Sequence, residues 1–310
     1  MSRPSRALAL LAAPALLVAG CSSGGDASDD TGRVAALASF YPLQYVTQEV
    51  GGDRVDVASL TPPSVEPHDV ELSPAQVADV SSADLVVYQS GFQPAVDEAV
   101  EQAQPGHVVD ATAAAGLDEG GTHADEPGEH TADDGHEHDG LDPHFWLDPT
   151  MLAPVADAVA DALTEVDPDG ADTYRANADA LTARLAALDE AYRTGLATCE
   201  RDVVVTSHEA FGHLARRYGL EQVGISGIDP EAEPSPARLR EVADVVRDEG
   251  VTTIFFETLV SPKVAETLAA DLGVRTAVLD PLEGLADDAQ DYVSVAEQNL
   301  EALRVALSCS

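Results

Sequence analysis

The sequence predicts an α/β protein of two lobes, each a parallel β-sheet flanked by helices, joined by one long rigid linker helix. Three observations support this prediction. Short apolar runs alternate with helical patterns over residues 34–109, and the same alternation starts again at residue 203. Between these regions, apolar residues recur at intervals of three or four from Ala171 to Ala197, as in an amphipathic helix. Alternating strands and helices favour a parallel sheet covered by helices.

The N-terminal half contains four short runs with strand character. Strands are predicted at 34–39, 55–60, 85–88 and 108–109, and helices at 43–50, 74–80, 95–102 and 151–166. Pro74 suits the first turn of its helix, because the N–H that proline lacks would have no partner there. We assign these elements to an N-terminal lobe over residues 33–166.

The second half repeats the pattern after the long helix. Asp167 to Gly170 breaks the preceding helix, and we assign the linker to residues 167–198. At about 1.5 Å per residue its helix would extend roughly 40 Å. The C-terminal lobe is assigned to residues 199–310. Its strands are predicted at 203–205, 254–256 and 276–279, and its helices at 209–218, 236–249, 262–272 and 292–307.

The first residues have the pattern of a secretory signal. A basic start precedes an apolar run over residues 7–19, which is shorter than the roughly 20 residues that span a bilayer. Residues 18–21, Val-Ala-Gly-Cys, resemble a bacterial lipobox. We therefore predict a lipoprotein signal peptide at 1–20, an acylated Cys21 and a flexible tether at 21–32, which would anchor the protein to the outer face of the cell membrane. The alternative is an ordinary cleavable signal in which Cys21 carries no lipid.

The chain is strongly acidic. It has 16 basic and 56 acidic residues and a formal charge of −40. Such a field repels nucleic acid and attracts cations, so no nucleic-acid partner is expected. General acidity of this kind also serves solubility, and it is weak evidence for a metal.

Two cysteines remain after the lipobox, Cys199 and Cys309. In an oxidising compartment such a pair is more often bridged than free. A disulfide between them would hold the C-terminus on the second lobe. Two unconnected buried thiols are the alternative.

The alternation of strands and helices stops over residues 117–140. This stretch lacks apolar periodicity and is predicted to be a mobile loop. It carries four histidines among acidic residues: His123, His130, His136 and His138. Imidazoles and carboxylates together bind first-row divalent metals, so we expect a low-affinity, rapidly exchanging metal cluster here. The alternative is an acidic, solvated loop whose histidines are incidental.

Three further histidines and one aspartate lie beside predicted strand ends. They are His68 in Glu-Pro-His-Asp, His144 in Asp-Pro-His-Phe, His208 after the strand at 203–205, and Asp280 in Leu-Asp-Pro. Ligands gather at the carboxyl ends of strands in open α/β sheets, and an adjacent proline fixes the backbone direction. Sequence spacing alone does not bring these residues together, and each could instead be a surface or capping residue.

Seven segments in order resemble those of one protein family. They are PPSVEPHDVELSP at 62–74, SSADLVVYQSGF at 81–92, LDPHFWLDP at 141–149, TSHEAFGHLARRYGL at 206–220, GISGIDPEAEPSPARL at 224–239, FFETLVSPKVAETLA at 255–269 and VLDPLEG at 278–284. The family is that of the metal-binding subunits of bacterial ABC importers for zinc and manganese, the cluster A-I solute-binding proteins. The resemblance implies a cleft between two lobes in which His68, His144, His208 and Asp280 bind the metal. It also implies an importer permease in the membrane as partner, and we expect a monomer.

The third histidine bears on the choice of metal. In the family that the sequence resembles, members that prefer manganese usually carry a glutamate at the position of His208. Three imidazoles and one carboxylate suit four-coordinate zinc, whereas manganese prefers more oxygen ligands. We therefore predict Zn2+ as the transported ligand, with manganese or another divalent ion as the alternative. Glu66, two residues before His68, is an alternative to Asp280 or a residue that binds through water.

A zinc hydrolase is the competing class of function, because three histidines and an acid also describe catalytic zinc. His208 and His213 are five residues apart and diverge by about 140° around a helix, whereas a metalloprotease helix has its histidines four apart. His213 is therefore expected to be a surface or packed histidine. With Asp280 as fourth ligand the site is closed, while catalytic zinc keeps a position for water. We predict a binding protein, not an enzyme; no aromatic patch is predicted that would favour an adhesin.

Overall fold

The computed structural model describes residues 32–117, 142–285, 287 and 289–310. The predicted signal peptide, the acylated Cys21 and nearly all of the tether lie outside these residues, and so do His123, His130, His136 and His138. What the sequence predicts about them stays a prediction. Within the described part of the chain, no helix is both long and apolar enough to cross a membrane.

The N-terminal lobe contains a four-stranded parallel sheet. Its strands are β1 (Val34–Ala38), β2 (Val55–Ser59), β3 (Leu85–Tyr88) and β4 (Val108–Asp110). They lie in the order β2-β1-β3-β4, with Val34 opposite Val55 and Ala36 opposite Leu85. The helices of this lobe are α1 (Tyr41–Gly51), α2 (Pro74–Ser82), α3 (Pro94–Ala103) and α4 (Ala111–Ala114). Leu85 to Val87 are fully buried, as expected for a strand covered by helices on both faces.

Two long helices follow, α5 (Pro149–Val166) and α6 (Ala171–Gly195), with a short 3-10 turn between them. Helix α6 contacts both lobes. The Asn177 side-chain amide donates a hydrogen bond to the Val50 carbonyl at the end of α1, and the Tyr192 hydroxyl donates one to the Ala296 carbonyl in the C-terminal lobe. The predicted linker helix is therefore present, and it ends two residues earlier than its pattern indicated.

The C-terminal lobe contains a second parallel sheet. Its strands are β5 (Val203–Thr206), β6 (Glu221–Gly224), β7 (Thr253–Phe256) and β8 (Arg275–Val278), in the order β6-β5-β7-β8. Its helices are α7 (Gly212–Tyr218), α8 (Pro236–Asp248), α9 (Lys263–Leu272) and α10 (Tyr292–Leu307). The sequence did not predict β6, because this edge strand is polar and only its last residue is buried. The predicted fold class is confirmed.

The main apolar core is continuous between the lobes. It includes Phe40 and Trp146 on the N-terminal side and Tyr292 and Leu303 on the C-terminal side. Smaller apolar clusters cover the other face of each sheet. The described residues from Arg33 to Ser310 accordingly form one compact unit, so the lobe boundaries at 166 and 199 stay predictions.

The predicted disulfide between Cys199 and Cys309 is confirmed. It joins the chain just after α6 to Cys309, two residues beyond the end of α10. The backbone N–H of Glu200 also donates to the Leu307 carbonyl, at 3.0 Å. The end of the chain is thereby fixed beside the start of the second lobe.

Candidate metal centre

Three histidines and one glutamate converge between the lobes. They are His68, His144, His208 and Glu283, and one ligand atom of each lies within 4.8 Å of the ligand atoms of the others. The Nε2 atom of His144 is 3.2 Å from Nε2 of His68 and 3.2 Å from Oε1 of Glu283. The same carboxylate oxygen lies 3.4 Å from Nε2 of His68 and 3.6 Å from Nε2 of His208.

Strand ends and short turns bring these residues together. His68 lies in the loop after β2, and His208 is two residues beyond β5. His144 directly precedes a 3-10 turn that leads into α5, and Glu283 follows β8. Each lobe contributes two side chains, as the resemblance implied. The carboxyl ends of parallel strands meet at one edge of a sheet, which explains how residues so distant in sequence converge.

The centre is buried and contains polar atoms without hydrogen-bond partners. His144 is fully buried, and His208 and Glu283 are each 1% exposed. Among the described residues, Nε2 of His208 and both carboxylate oxygens of Glu283 have no hydrogen-bond partner. A buried polar atom without a partner destabilises a protein unless a ligand or ion satisfies it. One ligand atom of each residue lies within 4.8 Å of the others, so a single cation could satisfy these buried groups.

Two carboxylates outside the centre orient two of the histidines. Asp142 Oδ1 lies 2.9 Å from Nδ1 of His144, and Glu257 Oε1 lies 2.9 Å from Nδ1 of His208. A carboxylate at Nδ1 keeps the proton on that nitrogen, so that Nε2 can donate its lone pair to a metal. The Ser207 hydroxyl in turn donates to the same oxygen of Glu257, at 2.8 Å.

Asp142 and Glu257 were not predicted as site residues, although the sequence contains a signal for each. Glu257 directly follows β7, the strand beside β5, so Glu257 and His208 lie at the same edge of the sheet. Asp142 occupies the same place before Pro143-His144 that Glu66 occupies before Pro67-His68.

The ionisable groups of the centre depend strongly on one another. Burial favours neutral histidines, but the nearby carboxylates prevail: Asp142 and Glu283 raise the pKa of His144, and Glu257 and Glu283 raise the pKa of His208 to about 10. Burial would also raise the pKa of Glu283, yet the surrounding imidazoles hold it well below its usual range. The metal-free centre therefore keeps protons that a metal would have to displace.

Asp280, predicted as the fourth ligand, lies outside the converging group, and Glu283 takes its place there. Both oxygens of Asp280 already accept hydrogen bonds, Oδ2 from the Thr258 hydroxyl at 2.9 Å and Oδ1 from the Leu282 N–H at 2.8 Å. Leu282 has a φ of 60°, in the left-handed region. This tight turn directs Glu283, three residues after Asp280, into the centre instead.

Glu66 lies next to the centre but outside the group. Its two carboxylate oxygens each lie 3.0 Å from the backbone nitrogen of His68, whose N–H they accept. Its Oε1 is 3.8 Å from Nε2 of His68. Burial raises the pKa of Glu66 to about 7. Its role as an alternative ligand stays a prediction.

The other described histidines also lie outside the group. His213 is packed between the lobes, with Nε2 3.0 Å from the carbonyl oxygen of Asp142. His107 is partly exposed, and its Nδ1 lies 3.6 Å from a carboxylate oxygen of Glu165.

The interatomic distances match one type of coordination. A tetrahedral zinc site with bonds of about 2.0–2.1 Å has edges of about 3.3–3.4 Å between its ligand atoms. Four of the six distances between the ligand atoms, 3.2, 3.2, 3.4 and 3.6 Å, lie close to that value, and all six are within 4.8 Å. Three imidazole nitrogens and one carboxylate oxygen are also donors that zinc accepts.

Comparison with known proteins places the whole arrangement in a family. Residues 37–306 match the family described as "ZnuA: Zinc-uptake complex component A periplasmic". The chain belongs to this family. The resemblance found in the sequence motifs is thereby confirmed, and the description of the ZnuA family names an uptake component, not a catalyst.

Individual members of the ZnuA family are similar to the chain over most of its length. The high-affinity zinc uptake system protein ZnuA of Bacillus subtilis (strain 168) is 38% identical over 97% of both chains. The zinc-binding lipoprotein AdcA of Streptococcus pneumoniae serotype 4 is 37% identical over 94% of this chain and 58% of its own length. The Zn(II)-bound ZnuA-like domain of Streptococcus pneumoniae AdcA superposes with a TM-score of 0.72 at 34% identity, over 89% of this chain and 99% of that one.

Proposed function

We propose that the protein binds zinc outside the cytoplasm and delivers it to the membrane permease of an ABC importer. The observation that carries this proposal is the convergence of His68, His144, His208 and Glu283, whose ligand atoms all lie within 4.8 Å of one another. Membership of the ZnuA family and the zinc-binding names of similar proteins support the same function. The proposed ligand set replaces Asp280 with Glu283.

Zinc fits this centre better than manganese does. Manganese prefers a set of oxygen ligands, usually six, whereas the centre offers three imidazoles and one carboxylate. The deep burial of the histidines leaves little room for the additional water ligands that a six-coordinate ion would need. Manganese and other divalent ions are therefore expected to bind more weakly.

A binding role fits better than catalysis. Catalytic zinc is held by three protein ligands and keeps a fourth position for water. Here a fourth protein ligand, Glu283, completes the set, and the centre is buried between the lobes. We therefore infer that the protein is not a zinc hydrolase.

The remaining parts of the proposal rest on the sequence. Cys21 in its lipobox supports a lipid anchor, and the similar protein AdcA of Streptococcus pneumoniae is named a lipoprotein. The four histidines at 123–138 support weak, exchangeable metal binding beside the deep centre. We further propose that the protein acts as a monomer.

Calorimetric titration of the chelator-treated protein with zinc, and then with manganese, tests the function. We expect one tight zinc site, together with weaker sites that disappear when residues 120–139 are deleted. Because the four proposed ligands all lie outside that segment, the deletion should change the tight affinity by less than about threefold. A preference for manganese, or loss of the tight site with the deletion, would contradict the proposal.

A matched pair of variants tests the ligand set. Glu283→Gln removes the proposed carboxylate ligand and should weaken zinc binding by at least about 100-fold. Asp280→Asn makes the same carboxylate-to-amide change three residues earlier. Its zinc affinity should remain within about tenfold of wild type, since Asp280 accepts hydrogen bonds from Thr258 and Leu282 and is not in the converging group. The reverse order of effects would restore Asp280 as the ligand.

A further inference from the structure

Two of the proposed ligands lie in the same short motif. Glu66-Pro67-His68 and Asp142-Pro143-His144 each have an acid two residues before the histidine. In both motifs the acid accepts the backbone N–H of the histidine, at 3.0 Å for Glu66 and 3.1 Å for Asp142. The peptide unit between proline and histidine is thus fixed on its nitrogen side in both places.

The same two peptide units are also fixed on their carbonyl side, by two glutamine side chains. The Gln93 amide donates a hydrogen bond to the Pro67 carbonyl at 3.1 Å, and the Gln89 amide donates one to the Pro143 carbonyl at 2.8 Å. Both glutamines are buried, at 1% and 2% exposure. They lie four residues apart in the segment that follows β3, which we call the 89–93 segment.

We propose that Gln89 and Gln93 are positioning residues that set the two N-terminal-lobe histidines for metal binding. Neither glutamine touches the metal centre. Each fixes the orientation of the peptide plane from which a ligand histidine extends, and proline on the other side limits the remaining backbone freedom. The proposal rests on the proposed function and adds two positioning residues to it.

The 89–93 segment contacts the histidine rings as well as their backbone. Phe92, between the two glutamines, packs edge-on against the His68 ring with the ring centres 4.8 Å apart, and its ring centre lies 6.3 Å from that of His144. One short segment therefore controls the position of both histidines relative to the first sheet. Gln222 on β6 makes a related contact in the other lobe, where its amide donates to the His208 carbonyl at 3.0 Å.

Unsatisfied atoms argue against a purely structural role for the glutamines. The side-chain oxygens of Gln89 and Gln93 are buried without a hydrogen-bond partner among the described residues. An apolar side chain of similar length would avoid this destabilising burial. Both proline carbonyls would keep a backbone donor after such a change, Val70 N–H for Pro67 and Phe145 N–H for Pro143.

The test compares Gln93→Met and Gln89→Met with the control Gln102→Met. Gln102 lies on α3, and its amide is bonded to exposed Glu98 at 2.8 Å, away from the centre. Zinc affinity is measured by competition with a chelator in the full chain, together with thermal unfolding of the metal-free protein. We expect about a tenfold loss of affinity for each of the two buried glutamines, no loss for the control, and similar unfolding temperatures for all three variants.

Two further readouts separate positioning from general destabilisation. Cobalt(II) absorption reports coordination geometry, and its visible bands should change in Gln93→Met and Gln89→Met but not in Gln102→Met. In a His68→Ala background, Gln93→Met should cause little further loss of affinity, because the residue through which it acts is absent.

Three results would overturn the inference while leaving the proposed function intact. They are wild-type affinity in both buried variants, a loss of affinity that persists fully in the His68→Ala background, and a lower unfolding temperature with an unchanged cobalt spectrum. A wild-type chain without a tight zinc site would overturn the proposed function, and the inference with it.

Discussion

The two lobes each supply two of the proposed ligands, but they hold them differently. In the N-terminal lobe, hydrogen bonds fix the backbone on both sides of the peptide before His68 and before His144. In the C-terminal lobe, Glu283 follows a left-handed residue, and its carboxylate has no hydrogen-bond partner among the described residues. The two N-terminal ligands are therefore fixed through their backbone, whereas the Glu283 carboxylate is held by its charge interactions with the three imidazoles, at 3.2–3.6 Å.

This difference indicates where metal binding changes the protein. In the metal-free centre the Glu283 carboxylate faces three imidazoles without a hydrogen bond. Its position should therefore depend more on whether a metal is bound than the positions of the other ligands do. Binding would thus stabilise one arrangement of the lobes through Glu283, and the importer could recognise that arrangement. The continuous core between the lobes is consistent with a small change.

The strongest test of the N-terminal half of the centre is removal of His144. Four-ligand structural zinc sites contribute about 10–16 kcal/mol, so one ligand accounts for about 3–4 kcal/mol, or about 10²–10³-fold in affinity. His144→Ala should lose that much in a chelator competition assay. His107→Ala is the matched control and should bind zinc like wild type, because His107 lies outside the centre. A His144→Ala protein within tenfold of wild type would remove this residue from the ligand set.

The carboxylates that orient the histidines give a smaller effect that should differ between the lobes. Glu257 is 2% exposed, so Glu257→Ala would leave the Nδ1–H of His208 buried without an acceptor. The Asp142 side chain is 17% exposed, so water can replace it at His144 in Asp142→Ala. We expect losses of zinc affinity of about 50-fold and about tenfold, respectively, measured by chelator competition. Equal losses would show that the two halves respond alike.

Over a single pH unit, the change in zinc affinity should be comparable to the effect of Asp142→Ala. His208 has a pKa of about 10 in the metal-free protein, so below that pH zinc must displace its proton. Zinc affinity should therefore fall as the pH falls from 9 to 7, by about tenfold per unit for each proton displaced. Calorimetry in buffers of different ionisation enthalpy measures the number of protons released.

The stability of the metal-free protein should change in the opposite direction. Between the ordinary histidine pKa of about 6.5 and about 10, the folded state binds the His208 proton and the unfolded state does not. This contribution is fully present below the lower value and is lost as the pH rises through the higher one. The unfolding temperature of the metal-free protein should thus fall from pH 7 to 10, and an unchanged temperature would argue against a protonated His208.

Much of the fold could be predicted from local sequence. Apolar runs such as Leu85 to Tyr88 indicate buried strands directly. The spacing of three or four residues between apolar positions after Ala171 indicates the linker helix. The strand at Glu221–Gly224 could not be predicted, since its polar residues pair only at a sheet edge. The disulfide was predicted because only two cysteines remained after Cys21.

The candidate site was predictable in part. His68 and His144 stand beside prolines, and the family resemblance pointed to them, to His208 and to Asp280. Glu283 was missed because Asp280-Pro281 has the same appearance as Asp142-Pro143, and nothing local reveals the left-handed turn at Leu282 that selects the later carboxylate. Gln89, Gln93 and Glu257 were missed because their roles depend on contacts across the fold.

Trp146 lies where its intrinsic fluorescence can report on the metal centre. It is the single tryptophan of the chain, two residues after His144, and it is fully buried with its indole N–H bonded to the Pro281 carbonyl at 2.7 Å. The Tyr292 hydroxyl donates in turn to the Trp146 carbonyl. The indole thus spans the two lobes between one histidine ligand and the Glu283 turn. Its fluorescence would report the closing of the centre from a single known site, without any attached label.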